Sequence, residues 1–156
     1  MLDRRLRLHL ATVLLSLTLA SIAHAEELNL SAYRGKVVYL DFWASWCGPC
    51  RQSFPWLSAL ERQYGSQNFV VLGVNVDHER RKADRFLEEV PADFAILYDP
   101  GGRLATEYMV SAMPSSFLID RSGHIRYQHH GFSTKETADY ERQITELLNE
   151  KPTNAR

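Results

Sequence analysis

The chain has 156 residues, 45% of them hydrophobic, and a net charge of −1, which is material for one ordinary domain with a core of its own. A near-neutral balance without a basic stripe excludes the electrostatic footprint of a nucleic-acid binder. Two cysteines are too few for a small scaffold stapled by disulfides.

The first segment differs from the rest. Arg4, Arg5 and Arg7 form a basic start, residues 8–23 (LHLATVLLSLTLASIA) are apolar, and Ala23-His24-Ala25 gives a small-x-small pattern before two glutamates. This order predicts a secretory signal peptide over 1–25, cleaved after Ala25. The alternative is an N-terminal membrane anchor, but a span needs ~20 apolar residues and this run is shorter and carries Ser and Thr. The prediction is therefore an exported, periplasmic protein, in a compartment where a cysteine pair can hold a static bond or exchange one.

Residues 36–43 (KVVYLDFW) form a near-continuous apolar run, as in a strand buried on both faces. Asp41 interrupts it. After the cysteines, Phe54, Leu57, Leu60 and Tyr64 recur at helical spacing. FVVLGVNV over 69–76 predicts a second buried strand, and Asp77 is placed to cap a helix carrying Ala83, Phe86, Leu87 and Val90. FAILY over 94–98 predicts a short strand stopped by Asp99-Pro100-Gly101-Gly102, and a brief helix follows over 103–109. SFLID over 116–120 and residues 124–130 predict two strands of a hairpin turning at Arg121-Ser122-Gly123. Ser133-x-x-Glu136 reads as a capping box for a last helix whose Tyr140, Ile144, Leu147 and Leu148 face inward. The fold class is α/β with a mixed sheet flanked by helices. The domain is assigned to 26–151 and the tail over 152–156 is expected to be disordered.

Cys47 and Cys50 are spaced C-x-x-C. A bond between them closes a very small loop and restricts little of the unfolded chain, so it stabilises little. That spacing argues against a purely structural role.

WCGPC after a buried strand, Met113-Pro114 before SFLID and the closing hairpin and helix resemble the thioredoxin fold. FWASWCGPCRQSFPWLSAL, VNVD, LYDPGG and MPSSFLID resemble the TlpA/ResA-like branch of that superfamily, over nearly all of residues 28–149. The resemblance implies an exported thiol–disulfide oxidoreductase with a redox-active Cys47–Cys50 couple and no further cofactor. It also implies an extra helix–strand insertion ahead of the Pro114 strand, and a cis bond between Met113 and Pro114 lying against the cysteines. The exposed backbone of Met113 would then pair with an extended substrate.

Within that frame Cys47 falls in the first turn of a helix, where unpaired N–H groups and the dipole favour a thiolate. It is the expected attacking thiol, and Cys50, one turn further in, the resolving thiol. Pro49 suits a helix start because its missing N–H has no partner there, Gly48 lets a substrate backbone come close, and Trp46 is expected to shield the thiol and touch substrate. Burial of Asp41 raises its pKa toward the range of a general base for Cys50; the resemblance assigns it the same proton-acceptor role. One departure stands out. The branch commonly has Glu three residues after its second cysteine, where this chain has Ser53. Pro55 matches the branch's helix-bending proline.

The expected activity is reduction of substrate disulfides, with disulfide oxidation or isomerisation as the alternative direction. The expected partners are disulfide-containing proteins, apocytochromes c and copper-site assembly proteins among them, and a membrane-linked electron donor. A copper carrier using the same thiolates with His124, His129 and His130 is the rival from another class. A tetrahedral zinc site would need ligands for which no second C-x-x-C or spaced His pair exists. Consecutive residues of a strand face opposite ways, so His129 and His130 cannot share one ion.

Overall fold

The structure is a computed structural model and describes residues 28–151. The expected signal peptide and the tail over 152–156 lie outside these residues. Five strands form one mixed sheet, ordered β3-β2-β1-β4-β5: β1 Val37–Trp43, β2 Phe69–Asn75, β3 Ala95–Tyr98, β4 Ser115–Ile119 and β5 Ile125–His130. The helices are α1 Gly48–Tyr64, α2 Arg80–Glu89, α3 Arg103–Glu107 and α4 Thr137–Asn149. A 3-10 turn, Leu30–Tyr33, precedes β1 and is capped by the Asn29 carboxamide oxygen, which accepts from Ser31 N–H.

β1 is the central strand. It runs parallel to β2 and antiparallel to β4, and all seven of its residues are buried. That accounts for the unbroken apolar run in its sequence, since a strand covered on both faces has no polar side to show. Side chains alternate across the sheet. Val37, Tyr39 and Trp43 enter one core with Phe54, Leu57 and Leu60 of α1, Phe86 of α2 and Ile144 of α4. Val38, Leu40 and Phe42 enter the other with Leu72, Val74, Leu104 and Phe117. Asp41 therefore shares its face with Tyr39 and Trp43, the face that also packs against Cys47 and Cys50.

An aromatic cluster carries the α1 side of the sheet. The Trp43 ring lies 4.8 Å from Phe54 and 4.8 Å from Phe86, and Phe54 lies 5.2 Å from Phe94. The Trp43–Phe54 and Phe54–Phe94 pairs are edge-to-face, and such pairs add about 0.5–1.5 kcal/mol each beyond the area they bury. Gly73 on β2 faces the same cluster: a Cβ there would meet Phe94 Cε2 at 2.9 Å, Ile96 Cδ1 at 3.1 Å and Trp43 Nε1 at 3.2 Å.

The helix–strand insertion is present, with α2 and β3 between β2 and α3, and β3 extends the sheet beside β2 in parallel. Two capping expectations fail. Asp77 does not cap α2; Glu79 holds that position without a side-chain bond, and the Asp77 carboxylate turns to the loop before Cys47 instead. The Ser133-x-x-Glu136 box does not close either. Ser133 Oγ accepts from Lys135 N–H, and the Glu136 carboxylate accepts from Tyr140 O–H at 2.8 Å. A buried tyrosine hydroxyl is the stronger claimant on that carboxylate, because leaving it unpaired costs more than an exposed helix end.

Candidate active site

The end of β1 leads through Ala44, Ser45 and Trp46 into α1. Cys47 is the N-cap of that helix; it has extended backbone, and its Sγ accepts from Cys50 N–H at 3.1 Å. A sulfur thus occupies the position at which a capping oxygen normally satisfies the open N–H groups of a first turn. Cys47 and Cys50 are joined as a disulfide with Cα atoms 5.3 Å apart. Cys47 is 4% exposed and Cys50 is 0% exposed. Gly48 and Pro49, between them, are open to solvent, and Trp46 projects with 70% of its surface exposed.

The loop that delivers Cys47 is held by a buried polar cluster. Asp77 accepts from Ser45 N–H at 2.8 Å, from Ser45 O–H at 2.9 Å and from the Asn75 amide at 2.8 Å. Asn75 and Asp77, both buried, continue β2 beside the end of β1. The two Ser45 donors hold that residue to Asp77 two positions ahead of Cys47, and the Asn75 amide holds the Asp77 carboxylate in place. Cys47 N–H donates back to the Ala44 carbonyl at 3.1 Å. Sequence reading gave Asp77 to a helix cap and passed over Ser45 and Asn75. The signal was there in polar residues at i and i+2 at the end of an otherwise apolar strand.

Asp41 is 3% exposed, and its Oδ2 has no hydrogen-bond partner. Burial alone pushes its pKa well above the usual carboxylate range. Its cross-strand neighbours are Gly73, which offers no side chain, and Ser116. A nearby hydroxyl row joins Tyr39 O–H to Ser116 Oγ at 2.9 Å and Ser116 Oγ to His129 Nδ1 at 3.4 Å. Burial, followed by the Asp41 charge, holds the Tyr39 hydroxyl far above its ordinary pKa.

The Met113–Pro114 bond is cis, as the resemblance implied. Pro114 is buried and its carbonyl accepts from Gly131 N–H at 2.8 Å. Met113 is half-buried and packs against the core that holds Cys47 and Cys50. Ser53, where the branch commonly has Glu, is buried and donates to the Cys50 carbonyl at 3.1 Å. Pro55 lies inside α1 on its exposed side. Arg51 pairs with Glu89 at 2.6 Å and stands over the Phe86 ring. The histidines weighed for copper do not converge: His129 stacks on Tyr39, His130 turns to Ser115 on the opposite face, and His124 is exposed beside Asp120. Among the described residues no three His, Cys, Asp or Glu side chains are grouped as a metal ion would need.

A family model described as Redoxin matches residues 14–144. ResA of Geobacillus kaustophilus, a thiol-disulfide oxidoreductase, is 36% identical over 122 residues, 78% of this chain and 69% of that one. The chain is a redoxin-family thiol–disulfide oxidoreductase of the TlpA/ResA-like branch. This redoxin is also 48% identical to a Chlorobium tepidum protein assigned as the thiol:disulfide interchange protein DsbE, whose crystal structure it matches with a TM-score of 0.75, covering 77% of this chain and 85% of that one. The pneumococcal exposed lipoprotein thioredoxin Etrx1 is 31% identical, with a TM-score of 0.65, covering 76% of the redoxin and 90% of Etrx1. The redoxin spans 69% of the length of the Geobacillus relative. None of its described helices is long and apolar enough to cross a membrane.

Proposed function

We propose that this enzyme is exported and reduces disulfides in other proteins, with Cys47 as nucleophile, Cys50 as resolving thiol and Asp41 as the base that serves Cys50. The observation that carries the reading is the pairing of two unequal sulfurs with one unpartnered carboxylate. Cys47 caps a helix beside the exposed Trp46, Gly48 and Pro49 and keeps a little exposed surface, Cys50 is sealed one turn below it, and Asp41 lies on the core face that packs against both, with an oxygen that nothing satisfies.

In the reduced enzyme the Cys47 thiolate attacks one sulfur of a substrate disulfide. A mixed disulfide forms and the other substrate sulfur leaves as a thiolate. Cys50 gives its proton to Asp41 and attacks Cys47 Sγ. The Cys47–Cys50 bond forms, the second substrate sulfur leaves, and two electrons have passed to the substrate. Asp41 suits the task because a carboxylate whose pKa is raised by burial takes a proton near neutral pH. Trp46 and Gly48 flank Cys47 in the chain, Met113 packs against the core that holds it, and on this reading Pro114 fixes the Met113 backbone so that an extended substrate segment lies there.

The direction of exchange rests on how little stabilises the Cys47 thiolate. Its sulfur accepts one backbone N–H, and Gly48-Pro49 adds neither charge nor a side-chain donor. A couple of this kind favours the disulfide and gives electrons away. Kept in an oxidising compartment, it needs a membrane-linked donor to reduce it again. The basic and apolar start of the sequence supports export, and disulfide-bearing apocytochromes c and copper-site assembly proteins are the substrate classes the reading favours. A Cys50→Ser variant expressed with its full leader should accumulate mixed disulfides through Cys47, which non-reducing gels and mass spectrometry would identify. Absence of any Cys47-linked partner, with Cys47 shown free, would defeat the reading.

A further inference from the structure

Arg51 and the charges of α2 take no part in the exchange chemistry. The helix opens on Arg80-Arg81-Lys82 and closes on Glu88-Glu89, with no acidic residue in its first turn and no basic one in its last. The helix dipole favours the reverse, anions at the start and cations at the end. This order weakens the helix, so its use lies outside the helix. Arg51, Lys82 and Arg85 line one recess of about 310 Å³ with Ser45, Phe86 and Glu89. Three cations face one carboxylate there. Asp84 and Glu88 border a different recess, so α2 gathers positive charge on the side it turns to α1 and the Cys47 loop.

The recess adjoins the reacting sulfurs and is held to them. Ser45 lies two residues ahead of Cys47, at most about 7 Å along the chain, and Arg51 directly follows Cys50. Asp77, just ahead of α2, accepts from the Ser45 N–H at 2.8 Å and from its O–H at 2.9 Å. Phe86, buried in the aromatic cluster, forms an apolar floor, and the Arg51 guanidinium lies 5.0 Å from its ring. The cations above that floor are open to a partner. Lys82 pairs with Glu79 at 2.9 Å and Arg51 with Glu89 at 2.6 Å, all four side chains being about half exposed. Arg81 shares the same Glu79 carboxylate. Arg85 is exposed and joins no ion pair among the described residues. Exposed pairs stabilise little, so the carboxylates of a partner can displace them.

We propose that this recess docks an acidic segment of the substrate protein, with Asp or Glu about two to four positions from the cysteine that Cys47 attacks. The spacing follows from reach, since an extended chain advances about 3.3–3.6 Å per residue. The proposal rests on Cys47 acting as the nucleophile toward substrate disulfides. The partner's carboxylates meet Lys82 and Arg85 while its disulfide meets Cys47. Complementary charge of this kind speeds encounter and fixes register. It therefore acts on formation of the mixed disulfide and selects among substrates, and release by Cys50 follows as before.

The test is stopped-flow formation of the mixed disulfide between the full-length reduced enzyme and fluorogenic peptide disulfides that differ only in the residues flanking one cysteine: Glu, Gln or Lys. Each rate is divided by that of β-mercaptoethanol with the same peptide, which removes the peptides' own reactivity. Comparing peptides also cancels any change in the Cys47 thiolate, because one sulfur attacks them all. Steering by charge raises association about 10–10³-fold, so the Glu peptide should react about tenfold faster than the Lys peptide at about 0.01 M salt. The preference should vanish at about 1 M salt, where charge is screened beyond about 3 Å. In the double variant Lys82→Gln, Arg85→Gln the Glu and Gln peptides should react alike, and Arg85→Glu should turn the preference toward the Lys peptide. Equal wild-type rates for the Glu and Lys peptides would overturn the docking recess and leave the reductase reading standing. A preference that survives in the double variant, or that ignores salt, would overturn it equally. If no peptide forms a mixed disulfide through Cys47, the nucleophile assignment fails and the docking recess with it.

Discussion

Replacing Asp41 by Asn should make the oxidised protein more stable, and only above acidic pH. In the folded state the carboxyl is buried, has an oxygen without a partner, and keeps its proton well beyond the usual carboxylate range. In the unfolded chain it ionises near its ordinary pKa of about 3.9. Between those two values the unfolded state releases a proton that the folded state retains. Rising pH therefore favours unfolding of the wild type until the folded pKa is reached, at about 1.4 kcal/mol for each unit by which the pKa is raised. Below about pH 4 both states are protonated and this cost vanishes. Asn titrates nowhere, and its amide is as buried and as poorly paired as the protonated carboxyl, so the substitution removes only this ionisation cost. A gain of about 1.4 kcal/mol for each unit by which the pKa is raised should appear at pH 8 and be absent at pH 4. For a domain of this size 1 kcal/mol moves the melting temperature by about 2–4 °C. Urea denaturation of both oxidised proteins at the two pH values measures the difference directly. An Asp41→Asn protein less stable than wild type at pH 8, or one with the same offset at both pH values, would refute the reasoning.

Iodoacetamide should modify Cys47 of the reduced enzyme much faster than Cys50 near neutral pH, since Cys50 is sealed and Cys47 caps the helix; peptide mapping of the labelled protein decides it, and equal labelling would reverse the assigned roles. Asp77→Ala strands the Ser45 N–H and the buried Asn75 amide, so the urea midpoint should fall by the equivalent of about 3 kcal/mol; an unchanged midpoint would mean the cluster does not hold the loop. Gly73→Ala forces a Cβ to within 2.9 Å of Phe94 and should cost about 1–3 kcal/mol in the same assay, whereas a neutral result would show that the aromatic cluster yields.

The sheet and helices were legible in the sequence because each hydrophobic run had one period: unbroken for β1 and β2, helical after Cys50, and split by Arg121-Ser122-Gly123 in the hairpin. The cysteine pair and Asp41 were legible because each contradicts its surroundings, two thiols at a strand-to-helix junction and a carboxylate inside an apolar run. Features joining distant segments were not. Asp77 looks like a cap from its neighbours, yet Ser45, 32 positions away, presents three-dimensional donors that outcompete a solvent-exposed helix end. Ser133 and Glu136 match a local box, but the Tyr140 hydroxyl takes the Glu136 carboxylate. The hydroxyl row from Tyr39 through Ser116 to His129 exists only once strand register is fixed, and register across β1, β4 and β5 cannot be read from any one strand.

The central claim is that the Cys47–Cys50 couple gives electrons to substrate disulfides. A helix N-terminus stabilises a thiolate by about 0.3–1 kcal/mol, and by up to about 2 kcal/mol when partly buried. With about 30 mV for every 1.4 kcal/mol, that source raises the potential by only some tens of millivolts. The deciding measurement is the fraction of dithiol at equilibrium in glutathione buffers, read by alkylation and mass spectrometry. In a buffer poised near about −180 mV, typical of an oxidising compartment, the account predicts a protein almost wholly in the Cys47–Cys50 disulfide form. A protein that stays mostly dithiol in that buffer would be an oxidant or isomerase, and would contradict the direction assigned to it.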